Sequence, residues 1–166
     1  MRRDRTCSFT GHRPEKLPWG TDESDPRCLE LKCRIAAALE SAYDKGMRHF
    51  ICGMALGVDL YFCEATLDLR NKYPGVTVEA AIPCEEQAAR WREEDRDRYF
   101  ALVKLCDFET MVQHHYDRGC MLRRNRYMVD RASMLIAVHD GLLGGTMYTL
   151  AYAMKKELDI VILELT

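Results

Sequence analysis

The chain has 166 residues, 48% hydrophobic and 30% charged, with a formal net charge of −2. This is the composition of an ordinary globule long enough to bury a core, and it predicts one domain over residues 1–166. The acidic balance makes nucleic acid an unlikely partner, and the lack of any apolar run near ~18 residues or of a secretory leader predicts a cytoplasmic protein away from membranes.

Thr6 to Thr10 reads as a short strand with Cys7 and Phe9 on one face. It runs into Gly11-His12-Arg13-Pro14, where Pro14 biases Arg13 away from helix. His12 and Arg13 then stand at the end of a strand, able to donate to an anion; the plainer reading is a solvated loop. The loop on to Pro26 is long for an α/β connection and suggests a binding edge. From about Pro26 to Lys45, Cys28, Leu31, Ile35, Leu39 and Ala42 share a helical face.

Phe50-Ile51-Cys52 is a second buried strand. It delivers Gly53-Met54-Ala55-Leu56-Gly57-Val58-Asp59, a glycine-punctuated turn before a helix from about Leu60 to Lys72. Asp59 is either that helix's N-cap or a partner for a ligand hydroxyl such as a ribose. Val76 to Ile82 alternates apolar and polar residues, which predicts a half-exposed strand at a sheet edge. Glu85 to Cys106 reads as one charged helix, Glu109 to Gln113 as a fourth strand, and Met121 to Arg131 as the next helix. At ~100° per residue, Arg124 and Asn125 flank the core side of that helix and can reach into a crevice.

Met134 to Val138 is an unbroken apolar run, as in a strand covered on both faces. His139-Asp140-Gly141 ends it, Gly144-Gly145 permits a tight turn, and a helix follows through Met147, Leu150 and Met154. Such a helix start points free N–H groups and a positive dipole end at its surroundings, and suits a phosphate. The plainer reading makes Thr146 an N-cap. Ile160 to Leu163 is the last strand.

The eight cysteines form no C-x-x-C pair and predict reduced, mostly buried thiols; no histidine spacing matches a metal site, and neither a metal nor a cofactor is assigned. Strands alternate with helices throughout, which predicts an α/β fold: a mainly parallel sheet of about six strands with helices on both faces. The three glycine loops then open at the carboxyl edge of the sheet, where such folds bind ligands.

Cys7 to Pro14, CSFTGHRP, resembles the opening of the YpsA-like proteins of the SLOG superfamily, which also holds the LOG phosphoribohydrolases and DprA. Gly53 to Asp59, Ile82-Pro83 with Gln87 and Trp91, Arg124-Asn125 with Met128, and Asp140 to Thr146 agree with it. The resemblance implies a three-layer Rossmann-like fold binding a nucleotide or nucleotide derivative, ADP-ribose-like or a nucleoside monophosphate. Its site residues are then Gly11, His12, Arg13, Gly53, Gly57, Asp59, Arg124, Asn125, Asp140, Gly141, Gly144, Gly145 and Thr146. LOG enzymes carry a glutamate where Thr149 stands here, and a hydroxyl cannot hold a proton near neutral pH as a carboxylate does. The expectation is therefore a sensor. Hydrolysis of an N-glycosidic or phosphate bond, with Glu64 or Asp59 as substitute acid, and DprA-like single-stranded DNA binding are the alternatives. The LOG and DprA relatives associate, which makes a homodimer plausible.

Overall fold

A computed structural model of the chain describes residues 1–165. Its elements alternate in chain order. They are β1 (Thr6–Thr10), α1 (Pro26–Asp44), β2 (His49–Cys52), α2 (Val58–Lys72), β3 (Thr77–Ile82), α3 (Glu93–Leu105), β4 (Phe108–Met111), α4 (Cys120–Asp130), β5 (Met134–His139), α5 (Gly145–Lys155) and β6 (Asp159–Glu164). Successive strands run the same way because a helix carries the chain back between them. The result is a six-stranded parallel sheet in the order β4-β3-β2-β1-β5-β6. This is a Rossmann-like α/β architecture. The strand order reverses between β1 and β5, where Cys7 to Thr10 pair with Met134 to Ala137.

The central strands are buried from end to end, as the unbroken apolar run of β5 requires. On one face, Phe9, Phe50 and Val78 pack against α1, α2 and α3 through Leu31, Ile35, Phe62 and Leu102. Phe9 stacks on Phe62 with ring centroids 4.3 Å apart. On the other face, Leu135 and Ala137 meet α4 and α5 through Val129, Leu150 and Ala153. Each fully buried Phe or Leu side chain stabilises the fold by roughly 1.5–3 kcal/mol. Ser8, on the α4 side, spends its hydroxyl on the Met128 carbonyl at 2.7 Å. No helix among the described residues is long and apolar enough to cross a membrane.

Two sequence expectations need correction. The strand from Val76 to Ile82 is not at the sheet edge: β3 is second from it, and β4 covers its outer side. Its polar residue Glu79 is buried because its carboxylate is fully partnered. His49 Nε2 stands 2.8 Å from Oε1, while the Tyr127 and Thr110 hydroxyls donate to Oε2 at 2.6 and 2.9 Å. Burial alone would raise the Glu79 pKa, but these partners hold it below the usual carboxylate range. The second correction concerns Glu85 to Cys106, which is not one helix. Its first part closes in short turns, with Gln87, Ala89 and Trp91 each donating three residues back, and α3 begins only at Glu93. Glu93, Glu94 and Asp95 then complement the helix dipole.

Candidate functional site at the sheet reversal

The carboxyl ends of β1, β2 and β5 open into one crevice of about 260 Å³. The β1 loop contributes Gly11, His12 and Arg13; Asp59 comes from the start of α2; Arg124 and Asn125 come from α4; Gly145 and Thr146 come from α5. Thr10, Glu15, Lys16, Ala55 and Met121 complete the lining. The other expected residues are not among those that line it. Gly53 sits between Asp59 and Arg124, whose nearest atoms lie 2.9 and 3.0 Å from where its Cβ would be. Gly57, at φ +89°, turns the chain where a Cβ would fall 2.6 Å from the His12 carbonyl oxygen. That approach lets Val58 N–H donate to the same oxygen at 3.1 Å, joining the β1 and β2 loops. Asp140 accepts from Leu142 N–H at 2.9 Å, and Gly141 lies in the same turn at φ +85°. Gly144 is the N-cap of α5.

The electrostatics are mixed by design of the loops. Arg13 and Lys16 are exposed, and Lys16 Nζ lies 2.6 Å from where a Gly144 Cβ would be. No side chain caps α5, so its first N–H groups have no partner of their own in the helix. Arg124 is buried and donates to the Gly53 carbonyl and, at 2.7 Å, to Asn125 Oδ1. Burial lowers its pKa, and the carboxylate of Asp59 opposes that shift. Asp59 is buried too and accepts from Ala55 N–H at 3.2 Å. Burial raises its pKa and Arg124 opposes the rise. Asp59 is therefore not the cap of α2, which is Gly57, and Thr146 is not the cap of α5.

His12 lines the crevice from a buried position. Its Nε2 accepts from Asp140 N–H at 3.2 Å. An acceptor at Nε2 is the neutral tautomer with the proton on Nδ1. Burial lowers the His12 pKa, against the pull of Asp140. His139 lies alongside, with ring centroids 5.9 Å apart. One ligand-type atom each from His12, His139 and Asp140 falls within 4.8 Å of the others. His12 is too far in sequence from His139 and Asp140 for any spacing rule to reveal the group.

A sequence search gives this arrangement its kin: the family described as "YspA SLOG family" (YpsA) matches residues 7–162. The chain belongs to the YpsA family of SLOG proteins. The UPF0398 protein YpsA of Bacillus subtilis (strain 168) is 28% identical over 139 residues, covering 82% of this chain and 76% of that protein. The SPbeta prophage-derived protein YoqJ of the same strain is 29% identical over 144 residues, or 79% and 84% of the two chains. Among solved structures, DNA processing protein A of Helicobacter pylori, described for its single-stranded DNA binding mode, matches with a TM-score of 0.63 at 16% identity. The match covers 99% of this chain and 67% of that one. DprA of Streptococcus pneumoniae matches with a TM-score of 0.62 at 14% identity, over 96% of this chain and half of its own. At such identities the likeness to DprA is one of fold.

Two further positions of this YpsA-family chain bear on chemistry. Thr149 is buried, and its hydroxyl donates to the Gly145 carbonyl at 2.9 Å, one turn back along α5. Glu64 is ion-paired with Arg98 at 2.5 Å and lies outside the crevice lining. Asp59 is thus the one of the two substitute acids that faces the crevice.

Proposed function

We propose that this protein binds a nucleotide or nucleotide-derived ligand, of the ADP-ribose or nucleoside monophosphate type, and acts as a sensor. The observation that carries this reading is the convergence at the β1–β5 reversal. Arg13 and Lys16 face the uncapped start of α5 across one crevice. A phosphate there gains the Gly145 and Thr146 N–H groups, the Thr146 hydroxyl, the helix dipole and two exposed cations. Asn125 adds an amide, and Asp59 accepts a ribose hydroxyl. Buried Arg124 holds the Gly53 carbonyl and supplies a positive potential behind the crevice.

The sensor reading is favoured over hydrolysis by Thr149, whose hydroxyl is committed to its own helix. Single-stranded DNA binding, described for the H. pylori neighbour, is the second reading. The net charge of −2 favours a small ligand over it. A thermal-shift screen against AMP, ADP-ribose, NAD and oligonucleotides, followed by product analysis, separates the three. Stabilisation by a nucleotide without turnover supports the sensor. Release of free base or ribose phosphate establishes the hydrolase instead, and stabilisation by oligonucleotides alone establishes the strand binder.

A further inference from the structure

The crevice does not end at Met121. That side chain also lines two adjoining cavities, of about 230 and 670 Å³. The smaller cavity shares Arg13, Glu15 and Ala55 with the crevice and Gln87 and Trp91 with the larger one. Through these shared walls the three cavities adjoin along a groove from the α5 start, past Met121, to the turns that precede α3.

Gln87 is the anomaly in this groove. It is 8% exposed, and both its amide oxygen and its amide nitrogen lack hydrogen-bond partners. The Tyr99 hydroxyl feels this amide, which opposes the burial-driven rise of its pKa, yet the two do not reach hydrogen-bond geometry. A buried amide with neither end satisfied is costly unless a partner arrives. Gln87 lines both the smaller and the larger cavity, where a ligand can offer one donor and one acceptor. Beside it, Trp91 is half-buried and braced edge-on by Tyr99, with ring centroids 5.2 Å apart, and Tyr116 is exposed at the rim. A braced indole presents a flat face for stacking.

We infer that the Gln87–Trp91 end of the groove is a nucleobase subsite, with the base stacked on Trp91 and its edge paired to the Gln87 amide. Adenine fits best, because a glutamine amide matches its N6 donor and N7 acceptor together. Hypoxanthine offers only acceptors along that edge and leaves the Gln87 oxygen unpaired. This inference rests on the crevice reading above and adds the class of base. It also makes Met121, common to all three cavities, the residue under the ribose.

The test is calorimetric titration of the full chain with AMP, IMP and ribose 5-phosphate, in the wild type and in the Gln87→Leu and Trp91→Phe variants. Leucine removes only an unpaired amide, and phenylalanine keeps an aromatic face, so both should fold. AMP should bind at least about tenfold tighter than ribose 5-phosphate, the worth of one stacked base. It should also bind several-fold tighter than IMP. Gln87→Leu should abolish the preference over IMP and leave ribose 5-phosphate affinity unchanged. Trp91→Phe should keep most of the gain over ribose 5-phosphate. Equal affinities for AMP and ribose 5-phosphate overturn the base subsite and leave the phosphate crevice standing. A Gln87→Leu variant that still prefers AMP over IMP overturns the assignment to Gln87. Failure of all three compounds, and of ADP-ribose titrated alongside them, to bind overturns the crevice reading, and the subsite with it.

Discussion

The Asp140 N–H donates to Nε2 of His12, joining the end of β5 to the end of β1 across the point where the strand order reverses. The bond exists only while Nε2 carries no proton. His12 therefore has a lowered pKa in the fold, burial being the main cause. In the unfolded chain the ring titrates near its ordinary 6.5. The unfolded state then takes up the proton first as pH falls, so stability from His12 is complete above about pH 6.5 and is lost below it. Asp59, whose pKa burial raises, works in the opposite sense. The comparison must therefore be made against a His12→Gln variant, which keeps an acceptor but does not titrate. Thermal unfolding at pH 7.5 and 5.5 should show a larger loss on acidification for the wild type than for the variant. Equal losses would remove His12 from the account.

Arg13 and Arg124 should behave differently although both are arginines at one crevice. Arg13 is exposed, so Arg13→Ala should leave unfolding unchanged and weaken a phosphorylated ligand by about 1.5–3 kcal/mol, the worth of a charged hydrogen bond. Arg124→Ala leaves the Gly53 carbonyl and Asp59 without their buried partner. It should lower stability by about 1–3 kcal/mol in denaturant unfolding, besides weakening the ligand. An Arg124→Ala protein as stable as the wild type would contradict the structural part given to the Arg124–Gly53 bond.

Gly57→Ala is a test of how the loops are joined. The added methyl meets the His12 carbonyl oxygen, and a φ of +89° is strained for any residue with a side chain. A cost of about 1–3 kcal/mol follows from the backbone alone. Ligand affinity should fall with it, since the same contact sets the β1 loop against α2. Normal stability and affinity together would show that the two loops are not coupled.

Tyr127→Phe probes the buried Glu79 cluster, whose residues His49, Glu79, Thr110 and Tyr127 do not line the crevice. The substitution removes one of the donors that hold the Glu79 pKa down. It should cost about 1.5–3 kcal/mol near neutral pH. Because the folded pKa is lowered, that contribution is present above about pH 4.5 and fades as pH falls through the folded value. Chemical unfolding at pH 7 and pH 3.5 measures both the size and the sign. A cost independent of pH would mean that the tyrosine contributes packing alone.

How much of this was legible in the sequence depends on the range of the interactions involved. The parallel sheet and its order of elements were readable, because the apolar run at Met134–Val138 and the helical faces of α1 and α2 are local patterns. The location of β3 was not, because its one polar residue is satisfied by His49, Thr110 and Tyr127, which lie 30, 31 and 48 residues away. An alternating pattern cannot distinguish a solvated glutamate from a partnered one. At the crevice, the glycine loops were readable as turns. The role of His12 was not, since its partner is 128 residues further on. Lys16 and Met121 were missed as lining residues. The Pro14–Lys16 turn was the available signal for Lys16: it folds the lysine back toward the Gly144 loop instead of leaving it in the solvated stretch to Pro26.

The most direct test of the nucleotide-site proposal is a backbone amide NMR titration of the full chain with AMP. Saturable shifts should concentrate at Gly11 to Arg13, Ala55, Asn125 and the Gly145 and Thr146 amides at the start of α5. Shifts that do not saturate, or that saturate on a surface away from these loops, would contradict it.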